Sequence, residues 1–158
     1  MHKSRKHLVV AERDARAARD LRDRLTELGF RVTCTQYGSD VLWRCEEGAV
    51  DLVVLDTQLH DMDGLDVCGY LRESARAADT PILMLTEPDD ELTRAYARQM
   101  VDYVGADYFL AKPYDLNVLI RLIVDVAGRP LHDTASHKRK FPTRVTWPTN
   151  HATAGAHA

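Results

Sequence analysis

The chain has 158 residues, of which 45% are hydrophobic, and a formal net charge of −3. That length suits one domain with an appendage, and that apolar fraction is enough for an ordinary core. Arg129, Lys138, Arg139, Lys140 and Arg144 against Asp133 alone put residues 128–158 at +4, which leaves residues 1–127 at −7 and argues against a folded part that binds nucleic acid by bulk charge.

Residues 1–7 are a short basic segment. Leu8-Val9-Val10-Ala11 then reads as a strand that runs into the charged cluster Glu12-Arg13-Asp14. Ala17, Ala18, Leu21, Leu25 and Leu28 recur at helical spacing, and Gly29 is placed to stop that helix. Phe30 to Thr35 alternates as a second strand. A short helix through Val41, Leu42 and Cys45 follows, with Ser39 or Asp40 as its expected cap and Gly48 as its end. Leu52-Val53-Val54-Leu55 is an unbroken apolar run, as expected of a strand buried on both faces. It delivers Asp56 to its C-terminal end, and Asp63-Gly64 supplies a turn residue and a φ-permissive glycine before the next helix, Leu65 to Arg72.

Pro81 to Leu85 is a fourth buried strand that ends at Thr86. Pro88, Asp89 and Asp90 open a fourth helix through Leu92, Tyr96, Met100 and Val104, closed by Gly105. Tyr108 to Ala111 is a fifth strand, followed by Lys112-Pro113, and Asp115 caps a last helix that reaches about Ala127. Strand and helix thus alternate five times. This order predicts an α/β fold with a five-stranded, doubly wound parallel sheet of the flavodoxin-like type, helices on both faces and right-handed crossovers. No Gly-rich phosphate loop follows the first strand, which weighs against a nucleotide-binding fold.

After Gly128 the apolar pattern collapses, so residues 128–158 read as a mobile basic tail. Cys34, Cys45 and Cys68 are too few and too widely spaced for a disulfide framework or a zinc site, and they read as buried free thiols. There is no secretory leader at the start and no apolar run near the ~20 residues of a membrane span. The expectation is a cytoplasmic protein without membrane contact.

In a doubly wound sheet the ends of strands one, three, four and five converge on one crevice. Here those ends carry Glu12 with Arg13, Asp56, Thr86 and Lys112. On these residues, and on the stretches LDTQLHDMDG, PILMLT and GADYFLAKPY, the chain resembles the receiver domains of bacterial two-component response regulators, over residues 8–127. The resemblance implies a signalling switch rather than an enzyme. Asp56 would accept a phosphoryl group from a sensor histidine kinase or a phosphotransfer protein, forming an acyl phosphate. Lys112 would supply a fixed positive charge, Thr86 would donate its hydroxyl to a phosphoryl oxygen, and Phe109, three residues before the lysine, would be the switch aromatic. The Lys112-Pro113 bond would be cis.

The chain also departs from that family. Receivers place two adjacent acids after the first strand, and the second is a direct Mg²⁺ ligand. Here Glu12 takes the first place and Arg13 the second. Mg²⁺ requires hard oxygen ligands, whereas a guanidinium offers only donors and a permanent charge. The ligands left are Glu12, Asp56 and the backbone carbonyl of Gln58. Arg13 is expected to reach toward Asp56 or Glu12 and stand in for the metal's charge. Two readings therefore stay open. One is a phosphorylated receiver, with no output domain in this chain; the other is a pseudo-receiver that serves as an interaction module without phosphorylation. His60 stands where the family has proline and reads as an exposed loop residue. The interval from Thr86 to Gly105 is longer than usual by roughly one helical turn.

The last helix, residues 116–127, has more apolar residues than one stripe needs. Leu116, Leu119, Ile120, Ile123 and Ala127 can face the sheet, which leaves Val118, Leu122 and Val126 for solvent or a partner. The resemblance adds that receivers dimerise through the face made by the fourth helix, fifth strand and last helix, so a homodimer is expected. Tail residues Phe141 and Trp147 are the rival cover for this patch. Direct DNA binding is not expected, because no helix-turn-helix pattern follows residue 128.

Overall fold

A computed structural model describes residues 4–87 and 105–128. The elements are β1 (His7–Ala11), α1 (Ala15–Glu27), β2 (Arg31–Thr35), α2 (Gly38–Glu47), β3 (Leu52–Asp56), α3 (Gly64–Glu73), β4 (Ile82–Thr86), β5 (Tyr108–Ala111) and the C-terminal helix α4 (Leu116–Gly128). The five strands form one parallel sheet in the order β2-β1-β3-β4-β5. The helix expected between Pro88 and Val104, and the tail from residue 129 onward, lie outside the described residues.

The apolar runs are continuous because both faces of the sheet are covered. Leu8, Val10, Leu52, Val54, Leu83 and Leu85 point to one side, against Leu21 and Leu25 of α1 and Leu119, Ile120 and Ile123 of the C-terminal helix. Val9, Ala11, Val53, Leu55, Ile82 and Met84 point to the other, against Val41 and Cys45 of α2 and Val67, Cys68 and Leu71 of α3. Each fully buried side chain of this size contributes roughly 1.5–3 kcal/mol of transfer free energy. Two layers of this kind hold the strand ends in fixed register beneath the crevice.

Local signals account for most helix boundaries. Asp14 caps α1, its side chain accepting from Arg16 N–H and Ala17 N–H, and Gly29 with φ +93° lets Phe30 N–H turn back to Leu25 C=O at 3.1 Å. Asp115 caps the C-terminal helix through Asn117 N–H at 2.7 Å. The start of α2 differs from expectation. Neither Ser39 nor Asp40 caps it. Instead Asp61, from the loop after β3, accepts from Gly38 N–H at 2.6 Å and from Ser39 N–H at 3.1 Å. A carboxylate distant in sequence thereby satisfies the first donors of α2 and anchors the loop that leaves Asp56.

Gly64 also differs. Its φ is not positive; glycine is needed because a Cβ there would stand 2.1 Å from the Asp56 carbonyl oxygen. On the C-terminal helix, Leu122 and Val126 are half-buried against the core, so the second stripe expected from the sequence is largely absorbed by packing. The large apolar residues it does expose are Val118, 46% exposed, and Val124, 39% exposed. None of the three cysteines forms a disulfide, and burial pushes the thiols of Cys45 and Cys68 up to about 11. No helix among the described residues is long and apolar enough to cross a membrane.

Candidate functional site

The sheet order reverses between β1 and β3, and the C-terminal ends of β1, β3, β4 and β5 open on the crevice that this reversal leaves. Asp56 closes β3 and is only 1% exposed. Its Oδ2 accepts from Lys112 Nζ at 2.7 Å and from Arg13 N–H at 3.3 Å, and its Oδ1 accepts from Gln58 N–H at 3.0 Å. Lys112 follows β5, and its peptide bond to Pro113 is cis. Its backbone N–H donates to Thr86 C=O at 2.7 Å, which ties the ends of β4 and β5 together.

The Lys112 ammonium is shared. It stands 3.0 Å from Glu12 Oε1 and 3.4 Å from Glu87 Oε1, besides its contact with Asp56. Burial works against its charge most strongly of any single cause, but the hydrogen bonds to Asp56 and Glu12 and the charges of these two carboxylates together hold its pKa above the ordinary lysine value. Glu12 is 1% exposed. Burial raises its carboxyl above the usual range; a hydrogen bond from Asp14 N–H opposes this, the Asp56 charge adds to it, and Lys112 opposes it. Glu12 Oε2 is buried and has no hydrogen-bond partner among the described residues.

Glu12, Asp56, Thr86 and Lys112 therefore converge as the strand ends predicted. Thr86 is 2% exposed and lies one residue past Leu85, the register partner of Asp56. Phe109 is half-buried and packs on the α2–α3 side of the sheet, opposite Met84 in register. Gln58 is on the loop after β3, as expected, and His60 is exposed there, its ring 5.6 Å from that of Tyr37.

Arg13 requires a correction. Its guanidinium does not turn to Asp56 or Glu12. Nη1 donates to Gln58 Oε1 at 3.2 Å, on the solvent side, and only the backbone N–H of Arg13 reaches Asp56. Gln36 Nε2, 23 residues away, holds the Arg13 carbonyl at 2.7 Å, while Asp14 next to it caps α1, and the side chain leaves the loop outward. Sequence reasoning missed Glu87 as a partner of Lys112, although its place directly after Thr86 was a signal. It also missed Gln36 and Asp61, for which there was none.

The buried oxygen donors of the site are the Glu12 and Asp56 carboxylates. Among the described residues no group of three or more His, Cys, Asp or Glu gathers around one point. Mg²⁺ is commonly held by one or two carboxylates, with water and substrate phosphate completing its shell. The buried, unpartnered Glu12 Oε2 is an oxygen of the kind such an ion needs, so the residues present fit a divalent cation with one acid fewer than the family pattern.

The family model described as the response regulator receiver domain matches residues 8–124. The chain is 33% identical over 117 residues to the transcriptional regulatory protein GltR of Pseudomonas aeruginosa, covering 73% of this chain and 46% of that one. It is 33% identical over 122 residues to the sensory transduction protein RegX3 of Mycolicibacterium smegmatis, covering 77% of this chain and 50% of that one. The chain thus spans about half the length of these curated relatives. Among solved structures, the receiver domain of Francisella response regulator 1452 matches with a TM-score of 0.67 at 22% identity, covering 78% of this chain and 98% of that one. The receiver domain of a Pseudomonas aeruginosa sensor histidine kinase, solved with magnesium in its active-site cleft, matches with a TM-score of 0.69 at 23% identity, covering 80% and 100%.

Proposed function

The chain belongs to the response regulator receiver domain family, and from that membership we propose that it is the phospho-acceptor of a two-component relay, with Asp56 as the acceptor. The observation that carries this reading is the buried Asp56 carboxylate with Lys112 Nζ at 2.7 Å and Thr86 at the end of the next strand. Phosphoryl transfer needs positioning and charge neutralisation more than covalent help. An Asp56 oxygen attacks phosphorus as the bond to the donor nitrogen of a phosphohistidine breaks; that nitrogen keeps the electron pair and takes a proton. Lys112 holds one phosphoryl oxygen, and the Thr86 hydroxyl donates to another. Glu12, Asp56 and the Gln58 carbonyl would hold Mg²⁺, which when bound supplies further positive charge to the phosphoryl oxygens.

The partners in this reading are a sensor histidine kinase or phosphotransfer protein in the cytoplasm. Phe109 carries the state of the site to the partner-binding surface. A homodimer contact through residues 116–127 completes this reading, carried over from the family resemblance, and sedimentation at rising concentration tests it. Direct DNA contact is not part of the reading. The phosphorylation-independent pseudo-receiver that Arg13 left open is not the reading favoured, because Asp56, Lys112 and Thr86 stand at neighbouring strand ends as a phospho-acceptor site would need.

Incubation with acetyl phosphate and Mg²⁺ should add the mass of one phosphoryl group, and Asp56→Asn should abolish the addition. No mass change with a small donor or with a histidine kinase would overturn the reading.

A further inference from the structure

We propose that Arg13 is a phosphoryl-binding residue: its guanidinium, parked on Gln58 at the mouth of the site, moves onto the phosphoryl group arriving at Asp56. It thereby carries part of the charge neutralisation that an acid-held cation otherwise provides. This deepens the phospho-acceptor reading and rests on it.

The geometry is a closed ring of hydrogen bonds around the acceptor. Arg13 N–H donates to Asp56 Oδ2 at 3.3 Å, Gln58 N–H donates to Asp56 Oδ1 at 3.0 Å, and Arg13 Nη1 donates to Gln58 Oε1 at 3.2 Å. The two residues whose backbones grip the two carboxylate oxygens are thus joined by their side chains. Gln36 Nε2, at 2.7 Å from the Arg13 carbonyl, fixes the root of the arginine beside Asp56. The guanidinium is therefore tethered within a side chain's length of any group that Asp56 receives.

Its resting partner is a weak one. Arg13 and Gln58 are both exposed, and the amide oxygen of Gln58 is neutral. A phosphoryl oxygen carries charge, and charge-assisted hydrogen bonds are roughly twice as strong as neutral ones. The planar fork of arginine also matches two phosphoryl oxygens at once, which a lysine cannot do. Exchange of Gln58 for the phosphoryl group is therefore downhill once the group arrives.

The pocket needs that charge. Glu12, Asp56 and Glu87 surround the single ammonium of Lys112. A dianionic phosphoryl group adds to an excess of negative charge. An arginine where the family has an acid shifts the local balance by two charges in favour of the incoming anion. With acetyl phosphate the step is balanced: an Asp56 oxygen forms the new O–P bond, the bond from phosphorus to the acetyl oxygen breaks, and acetate leaves with the electron pair.

The test compares wild type, Arg13→Ala, Arg13→Lys and Arg13→Asp, each with acetyl phosphate in EDTA and in Mg²⁺, read by intact mass over time, with Asp56→Asn as the blank. In EDTA the wild type should gain its phosphoryl group at least about tenfold faster than Arg13→Ala, with Arg13→Lys between them. In Mg²⁺ the gap should narrow. Calorimetry of the unphosphorylated proteins should show Arg13→Asp binding Mg²⁺ more tightly than wild type. Equal rates for wild type and Arg13→Ala in EDTA overturn the proposal, as does a wild type labelled in Mg²⁺ but not in EDTA; both leave the phospho-acceptor reading standing. If neither wild type nor Arg13→Asp is labelled in Mg²⁺ by acetyl phosphate or by a histidine kinase, the phospho-acceptor reading itself fails, and this proposal with it.

Discussion

Lys112 Nζ lies 2.7 Å from Asp56 Oδ2, a bond between residues 56 positions apart that closes the crevice at the switch in strand order. The same ammonium serves Glu12, and both carboxylates are 1% exposed. Removing one partner of a buried pair is costly because the other charge stays behind without compensation. Lys112→Met should therefore lower stability by about 3–5 kcal/mol, measured by urea unfolding, and also slow phosphorylation of Asp56. A variant as stable as wild type would mean that water already compensates the two acids.

Glu12 gives a prediction of the opposite sign. Its folded pKa is raised, chiefly by burial, above the ordinary value of 4.5. The folded state then holds the proton more tightly than the unfolded chain, so stability falls as pH rises from 4.5 through the folded value. Glu12→Gln keeps an oxygen for Lys112 and Asp14 N–H but removes the charge. It should be more stable than wild type at neutral pH and equal to it below about pH 4. Urea midpoints across that range check it; a difference independent of pH would mean that packing, not charge, sets the effect.

Two glycines of α3 should respond in opposite directions to alanine. At Gly64 the new methyl would meet the Asp56 carbonyl oxygen at 2.1 Å and Thr57 Cα at 2.9 Å, both backbone atoms that cannot step aside. Gly64→Ala should cost about 3 kcal/mol or more, by displacing the loop that holds Asp56. At Gly69 nothing lies within 4 Å of the added carbon, so Gly69→Ala should gain about 0.5–1 kcal/mol from helix propensity. Thermal unfolding of the pair reads both signs.

Arg72 joins α3 to the β4 and β5 entrances. Its Nε donates to Gly105 C=O at 2.7 Å, Nη1 to Ala78 C=O at 3.1 Å and Thr80 C=O at 2.8 Å, and Nη2 to Asp107 Oδ2 at 3.0 Å. Asp107 in turn accepts from Ile82 N–H at 2.8 Å, the first residue of β4. Arg72→Ala should cost about 3 kcal/mol, and Arg72→Lys should rescue little, because an ammonium cannot span carbonyls on several sides. Full rescue by lysine would show that charge alone matters there.

The sequence determined the alternation of strands and helices, and with it the sheet. Strands covered on both faces must be apolar throughout, so Leu52 to Leu55 and Ile82 to Leu85 announced themselves. Glu12, Asp56, Thr86 and Lys112 were legible for the same reason: polar residues directly after such runs fall at strand ends, and the topology gathers those ends. Tertiary structure alone decided where side chains with several choices point. Arg13 turned outward because Gln36 holds its carbonyl, 23 residues away, and Gln58 offers an oxygen 45 residues away. Asp61 took over the cap of α2, and Gly64 proved indispensable for a close approach to Asp56 C=O rather than for its φ. Leu122 and Val126 were drawn into the core where a helical wheel put them in solvent. Periodicity along the chain reports which residues are buried, but partners are chosen by distance in space, and residues tens of positions apart leave no trace of that choice in local pattern.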